Sequence, residues 1–295
     1  MLISRDPVIK KLPMPEYATR KSFLIPTTTS IVLIHLFAFA LAPFTFTKIG
    51  LIAFFVLYVL TMLAITIGYH RMLSHRSFKA VPLVRYFWTF LGVLSLQGGP
   101  IGWAATHRVH HTKSDQKLDP HSPVVNSFLW AHLTWNFFSH PTVDTEEDFR
   151  RIAPDLYKDA GIIFFQKHFL LINILFGFFA FGLGYFLGGW KTAFSLVVWG
   201  GLLRIVFVWH ATWLVNSATH VWGYRNYESS DRSRNNWWVA LFTMGEGWHN
   251  NHHAKPRAVC NQHRWFEIDP SYYVIYILSR MGLVSDLVPY QKRVW

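Results

Sequence analysis

Two pairs of long apolar stretches restrict what this chain can fold into. Residues 23–44 read FLIPTTTSIVLIHLFAFALAPF and residues 48–69 read KIGLIAFFVLYVLTMLAITIGY, with only the turn TFTK at their junction. A second pair covers about 162–187 and 192–215, joined by GGWK. Each stretch suffices for a hydrocarbon core of about 30 Å. Backbone polar groups in lipid must be satisfied within their own segment, which leaves helices as the economical solution. The expected fold is therefore all-α and integral to a membrane, with four transmembrane helices in two hairpins. Composition agrees: 52% of residues are hydrophobic and 15% charged, against roughly 25% charged in a soluble domain.

Charge sets the orientation. The arm carries Arg5, Lys10, Lys11, Arg20 and Lys21, and the long segments after the second and fourth stretches hold most of the other cations. The hairpin turns carry one lysine each, Lys48 and Lys191. By the positive-inside rule both termini and both long segments face the cytoplasm. The formal charge of +12 is thus assigned to a membrane face and not to nucleic acid. Residues 1–22 read as a cytoplasmic arm without signal-peptide order. Residues 23–295 read as one membrane domain, its cytoplasmic cap formed by 70–161 and 216–295. Within the cap, 81–96 and 123–138 are apolar but short, which suits interfacial or buried helices. Cys260 is the sole cysteine, so no intrachain disulfide forms, and it reads as a spectator thiol.

Histidine spacing carries the chemistry. His70 and His75 lie in HRMLSH, His107, His110 and His111 in HRVHH, and His249, His252 and His253 in HNNHH. Positions i, i+3 and i+4 share a helix face, so each of the last two boxes aims three imidazoles one way. Eight imidazoles exceed the needs of one ion, and two ions are expected. Neutral imidazole suits iron, zinc, copper or nickel. The topology places all three boxes on one side of the membrane, as a shared site requires. Asp115, Asp119 and Glu246 are candidate partners for the outer N–H groups of the ligands. His35, His132, His140, His168 and His210 read as packing or hydrogen-bonded residues, and His121 and His263 as structural. Spacing alone leaves His220 open.

HRMLSH, HRVHHTKSDQKLDPHS, WLVNSATHVWGYR and GEGWHNNHH together resemble the membrane-bound acyl desaturases, in particular the Δ9 branch that includes stearoyl-CoA desaturase. The resemblance runs from about residue 23 to 275. It implies a di-iron centre held by nine histidines, with His220 as the ninth and Asn216 approaching one metal through a water; it implies no catalytic side chain beyond the ligands. It also implies a kinked acyl tunnel, with Gln97, Trp103 and Thr212 at the kink. Two ferrous ions and O2 would supply the oxidant that removes two hydrogens from adjacent methylenes of a fatty acyl substrate, leaving a cis double bond. Two electrons would come from a separate donor, a ferredoxin or a cytochrome, because no flavin or nicotinamide fingerprint is visible. Phe54 and Tyr58 share a face of the second span and are candidates for setting tunnel depth, with ordinary helix packing as the competing explanation.

One departure concerns the acyl carrier. Where the animal enzymes hold the CoA headgroup with basic residues, this chain has Ala105, Phe138 and Ser139. Acyl-lipid and carrier-protein substrates therefore stand beside acyl-CoA, for which Arg150, Arg151, Lys10 and Lys11 are the remaining candidate contacts. The competing functions are a related hydroxylase, a desaturase of another regiospecificity, and a metal or lipid transporter. A transporter would line its spans with ionisable groups, whereas here the ionisable residues cluster at one end, with His35, Arg204 and His210 as the few exceptions.

Overall fold

The structure is a computed structural model and describes residues 13–289; Arg5, Lys10 and Lys11 lie outside these residues. The described chain is mostly helical. In order it forms α1 (Ile25–Leu41), α2 (Lys48–Leu63), α3 (Pro82–Val93), α4 (Pro100–Lys113), α5 (Phe128–His132), α6 (Glu146–Ile152), α7 (Ala160–Ser195), α8 (Arg204–Ser217), α9 (Trp237–Phe242), α10 (His249–Ala254) and α11 (Pro270–Arg280). One two-residue ladder, β1 (Lys79–Ala80) with β2 (Val284–Ser285), ties the start of the cap to its end.

Among the described residues two helical stretches are long and apolar enough to cross a membrane, Lys48–Ser74 with 27 residues and Ala160–His220 with 61. The second is folded in half. Gly189 takes a left-handed φ of +68°, which glycine adopts without a Cβ penalty. A Cβ on Gly184 would lie 2.7 Å from Cα of Ala193, whereas nine residues of straight helix span roughly 13 Å. The GGWK turn therefore falls where the sequence places it. Only 6% of the most apolar window of this stretch is buried inside the protein, and Phe178, Phe179 and Phe186 point outward. An apolar surface of that extent marks an interaction with something other than water. α1 is also apolar but has 17 residues.

The structure departs from the expected boundaries in two places. α2 does not stop at residue 69 but continues as a π-helix over Ala64–Ser74, every residue of which is buried. Over 123–138 there is no single helix: α5 covers Phe128–His132 and a 3-10 turn covers Thr134–Phe137. Ser127 caps α5 through Trp130 N–H, and Leu133 leaves the helical region at φ −134°. The 81–96 stretch does form a helix, α3, burying Val84, Trp88 and Leu91 while Leu83 and Phe87 stay exposed.

The break between α3 and α4 positions the site. Leu96 has φ +55° and Gly98 φ +93°, so the helical hydrogen-bond ladder is interrupted here, with Val93 C=O keeping only a turn bond from Leu96 N–H among backbone donors. Side chains from surrounding helices supply donors instead. Asn173 Nδ2 donates to Val93, Arg204 Nη1 to Leu94, Trp209 Nε1 to Ser95 and Leu96, and Tyr69 Oη to Gly98. This accounts for a buried Arg204 without a carboxylate: it satisfies backbone oxygens where a helix is broken. His35, His210 and His132 likewise form a hydrogen-bonded chain, with ring nitrogens 3.1 Å and 2.9 Å apart, linking α1, α8 and α5.

Candidate metal centre

The π-helix explains the first box. Residues five apart on an α-helix diverge, but the i→i+5 ladder of a π-helix places them one turn above another. His75 N–H donates to His70 C=O at 3.1 Å, and the two rings come within 4.8 Å centre to centre. α4 presents His107 and His111 on one face and His110 beside it. α10 presents His249 and His253 one turn apart with His252 beside them.

The nine sequence-derived histidines meet in two groups. His70, His75, His107, His111 and His252 bring one ligand atom each within 4.8 Å of one another, and so do His110, His220, His249 and His253. Neighbouring residues on α4 and α10 point about 100° apart, as 3.6 residues per turn dictates, so each helix serves both groups. In the first group Nε2 of His252 lies 3.0 Å from that of His70 and 2.9 Å from that of His111, while His75 and His107 approach to 2.7 Å. Asn216 sits half-buried one turn before His220.

Carboxylates fix the ring orientations. Nδ1 of His110, His220 and His253 is hydrogen-bonded to Asp119, Asp115 and Asp231 at 2.9, 2.9 and 2.7 Å, and Nδ1 of His70 lies 2.9 Å from Glu246 as an ion-pair contact. An Nδ1–H given to a carboxylate leaves Nε2 as a bare lone pair. Nε2 of His110 faces Nε2 of His253 at 3.3 Å, so two ring acceptors converge where both Nδ1–H groups serve the aspartates. His220 Nε2 and both ring nitrogens of His249 are buried without a hydrogen-bond partner. Converging lone pairs and unpartnered imidazoles are costly in a dry interior and fit a bound cation. The residues present thus fit a two-metal site with nitrogen ligands. Burial opposes ionisation of Glu246, but His70 and Arg71 hold it down to about 2. Asp231 and Asp115 are likewise held well below the carboxylate range, against burial, by His253 and His220.

A polar network holds α10. Asn250 accepts from Asn226 and Tyr227 N–H, and Asn251 bridges Asn226, Asn235, Asn261 and Glu267. The GEGW sequence before it is equally constrained: a Cβ on Gly247 would collide with the backbone of Asn236 and Ala240. Asp231, Asn250, Asn251 and Arg71 were not among the sequence candidates. Asp231 has no spacing signal, being brought in by a loop, whereas Arg71 and the asparagines lay inside the boxes and could have been flagged there.

The three residues expected at a tunnel kink form one chain of hydrogen bonds. Trp103 Nε1 donates to Gln97 Oε1 at 3.3 Å, Gln97 Nε2 to Thr212 Oγ1 at 3.0 Å, and Thr212 Oγ1 to Val208 C=O. The Trp103 ring stacks on His107 at 5.2 Å. Phe54 and Tyr58 lie against each other on α2, centroids 6.2 Å apart, and Tyr58 donates to Phe242 C=O in the cap. His121 packs against His110 at 4.4 Å, with Asp119 3.9 Å from its Nδ1. A cleft of about 690 Å³ opens beside His75 and His111, bordered by Arg76, Arg108, Lys113, Arg151 and Arg257.

Acid should destabilise the metal-free protein. Burial, reinforced by neighbouring imidazoles, keeps His75, His107, His111, His249 and His252 well below the usual histidine range; it holds His253 at about 4, against the pull of Asp231. Unfolded histidine titrates near 6.5, so the unfolded chain binds more protons below that pH. The resulting stability is complete above about pH 6.5 and is lost as pH falls toward 4. His220, raised by Asp115 against burial, runs the other way but is one group against six. Thermal melts in chelator from pH 8 to 5 should show the fall, and a flat profile would contradict neutral buried imidazoles.

Fold and site together define a mostly helical protein with long apolar helices and two histidine groups able to hold metal. The fatty acid desaturase family matches over residues 47–270. The chain is 42% identical over 252 residues to the sn-1 stearoyl-lipid 9-desaturase of Anabaena variabilis, covering 85% of this chain and 88% of that protein. It is 40% identical over 246 residues to the sn-2 palmitoyl-lipid 9-desaturase of Nostoc sp. (strain 36), covering 83% of each. It is also 39% identical over 250 residues to the acyl-CoA 5-desaturase AL21 of Anemone leveillei, covering 83% of this chain and 74% of that protein. The chain belongs to the fatty acid desaturase family.

Proposed function

We propose that this chain is an O2-dependent acyl-lipid Δ9-desaturase, an oxidoreductase that places a cis double bond in a saturated chain. The observation that carries the reading is the pair of imidazole groups with carboxylates on their outer nitrogens, in a family whose similar members include lipid 9-desaturases. The nine histidines would hold two ferrous ions, the group of five one and the group of four the other, and Asn216 would approach one of them through a water. The bound irons supply, with O2, the oxidising power that an unactivated methylene demands. Two electrons from an external ferredoxin or cytochrome-type donor and two protons complete the reduction of O2 to two waters.

The remaining work falls to the protein. Trp103 and the Gln97–Thr212 pair form a rung beside the five-histidine group, where an acyl chain bends and presents adjacent carbons. α1, α2 and the two limbs of 160–220 form four spans in two hairpins. The cap of residues 70–161 and 216–295 lies on the cytoplasmic side, residues 1–22 form an arm, and 23–295 are one domain. The absence of basic side chains at Ala105, Phe138 and Ser139 and the names of the lipid-acting relatives both favour a lipid over CoA.

The test is fatty-acid analysis of a host lacking its own desaturase, expressing this chain beside a His111→Ala control. A Δ9 monoene confined to the first strain is the expected result. Membrane-inserted, iron-loaded protein that yields none, even with ferredoxin and cytochrome donors supplied, removes the proposal. Phe54 and Tyr58 set the depth of the acyl site. Tyr58 packs against Met62 of its own helix and against Val208 and Ala211 on the turn of α8 before Thr212. Tyr58→Ala should shift products toward longer chains in a mixture of palmitoyl and stearoyl substrates; an unchanged ratio assigns the residue to helix packing alone.

A further inference from the structure

The carboxylates are shared unequally between the two imidazole groups. In the group of His110, His220, His249 and His253, three rings meet an aspartate each: Asp119, Asp115 and Asp231. Among the described residues none of these aspartates pairs with lysine or arginine. Asp115 has Ser122 Oγ and the Arg232 backbone N–H as further partners. Asp119 has the backbone N–H groups of Asp115 and His121, and Asp231 has the hydroxyls of Ser229 and Ser233. Their negative charge is left uncompensated except by what the imidazoles hold.

The five-histidine group differs. The one carboxylate on its rings, Glu246, receives Arg71 Nε and Nη2 at 3.1 and 2.9 Å, and that guanidinium, shared with Asp269, offsets part of its charge. On the opposite flank, His75 and His111 border the cleft lined by Arg76, Arg108, Lys113, Arg151 and Arg257. Arg76, Arg108 and Arg151 have acidic partners, Asp155 for the first two and Asp148 for the third.

From this asymmetry we infer that, of the two irons proposed above, the one held by His110, His220, His249 and His253 gives up an electron first, because Asp115, Asp119 and Asp231 stabilise a trivalent ion there. A fifth imidazole in the other group does not reverse the order. It is a neutral donor that favours both charge states, whereas attraction to a formal negative charge grows in proportion to the charge on the ion. Burial strengthens the effect: Asp119 is 2% exposed, Asp231 7% and Asp115 8%. A carboxylate on Nδ1–H also makes the ring a stronger electron donor through Nε2. In this step one ferrous ion becomes ferric and the electron passes to an added oxidant such as ferricyanide.

The inference rests on the two-iron reading, and its test separates the two. Full-length protein loaded with 57Fe is titrated stepwise with ferricyanide and followed by Mössbauer spectroscopy. Two separate one-electron steps are expected, with half the iron ferric after the first. Asp115→Asn and Asp231→Asn keep an oxygen for the Nδ1–H and remove the charge. Each should make the first step harder and leave the second in place, and each should weaken iron binding at that half by about 10–100-fold. Glu246→Gln should leave the first step where it is. Two variants guard against one that fails to hold iron, and a purely structural role would lower iron content without moving one step selectively. Simultaneous oxidation of both irons, or a first step that follows Glu246→Gln and ignores both aspartates, overturns the inference. Protein that takes up only one iron per chain overturns the two-iron reading and the inference with it.

Discussion

His252→Ala is expected to reduce desaturation by at least about 100-fold, the upper end of what losing a mere supporting partner costs a metal site, and to lower iron from about two per chain to about one. His252 Nε2 is the meeting point of its group, 3.0 Å from His70 and 2.9 Å from His111. Removing it takes one of five converging donors and opens the space between α2 and α4. The four-histidine group should keep its iron, because Asn250 and Asn251 hold α10 independently of the substituted ring. His168→Ala is the matched control: its half-buried ring lies outside both histidine groups, and among the described residues it bonds to Phe164 C=O one turn back and stacks on the Phe164 ring, so both iron and activity should be unchanged. Iron per chain and product formation, measured together, check the pair. Full iron with activity within a few-fold of the parent would remove His252 from the ligand set.

Much of this was legible in the sequence because period and composition are local. The apolar stretches gave the long helices, GGWK gave the reversal at Gly189, and the i, i+3, i+4 histidines gave the shared faces of α4 and α10. The His70–His75 spacing of five is wrong for an α-helix and right for a π-helix, and nothing in AITIGYHRMLS announces the change of period. The break of 123–138 at Leu133 was similarly hidden under an even apolar run. Asp231 was invisible for a different reason: a loop carries it 22 residues along the chain from His253, and a lone aspartate in SDRSRNN has no periodicity to reveal it. Gln97, Trp103 and Thr212 were nameable only through resemblance, yet they share one chain of hydrogen bonds.

Arg71→Met should be the most destabilising single change in the cap, by about 3–5 kcal/mol, the usual cost of stripping the partner from a buried ion pair. Arg71 is 1% exposed and lies on the π-helix between His70 and His75. Its guanidinium spans Glu246 and Asp269 and also donates to Val259 C=O at 2.9 Å. Methionine fills similar volume but leaves two carboxylates buried without their cation, Asp269 at 0% and Glu246 at 6% exposure. The melting temperature should drop on the order of 10 °C. Without Arg71, Glu246 loses the anchor that fixes it against His70, so the five-histidine group should lose iron before the four-histidine group does. Arg71→Lys keeps the charge but not the planar fork that reaches both carboxylates at once, and should fall between the two. Pairing Arg71→Met with Glu246→Gln removes one of the orphaned charges and should recover part of the lost stability without restoring iron. Thermal unfolding in detergent and iron content are the two readouts. A loss under about 1 kcal/mol for Arg71→Met would mean that water reaches these carboxylates and that the π-helix, not the ion pair, sets the first box.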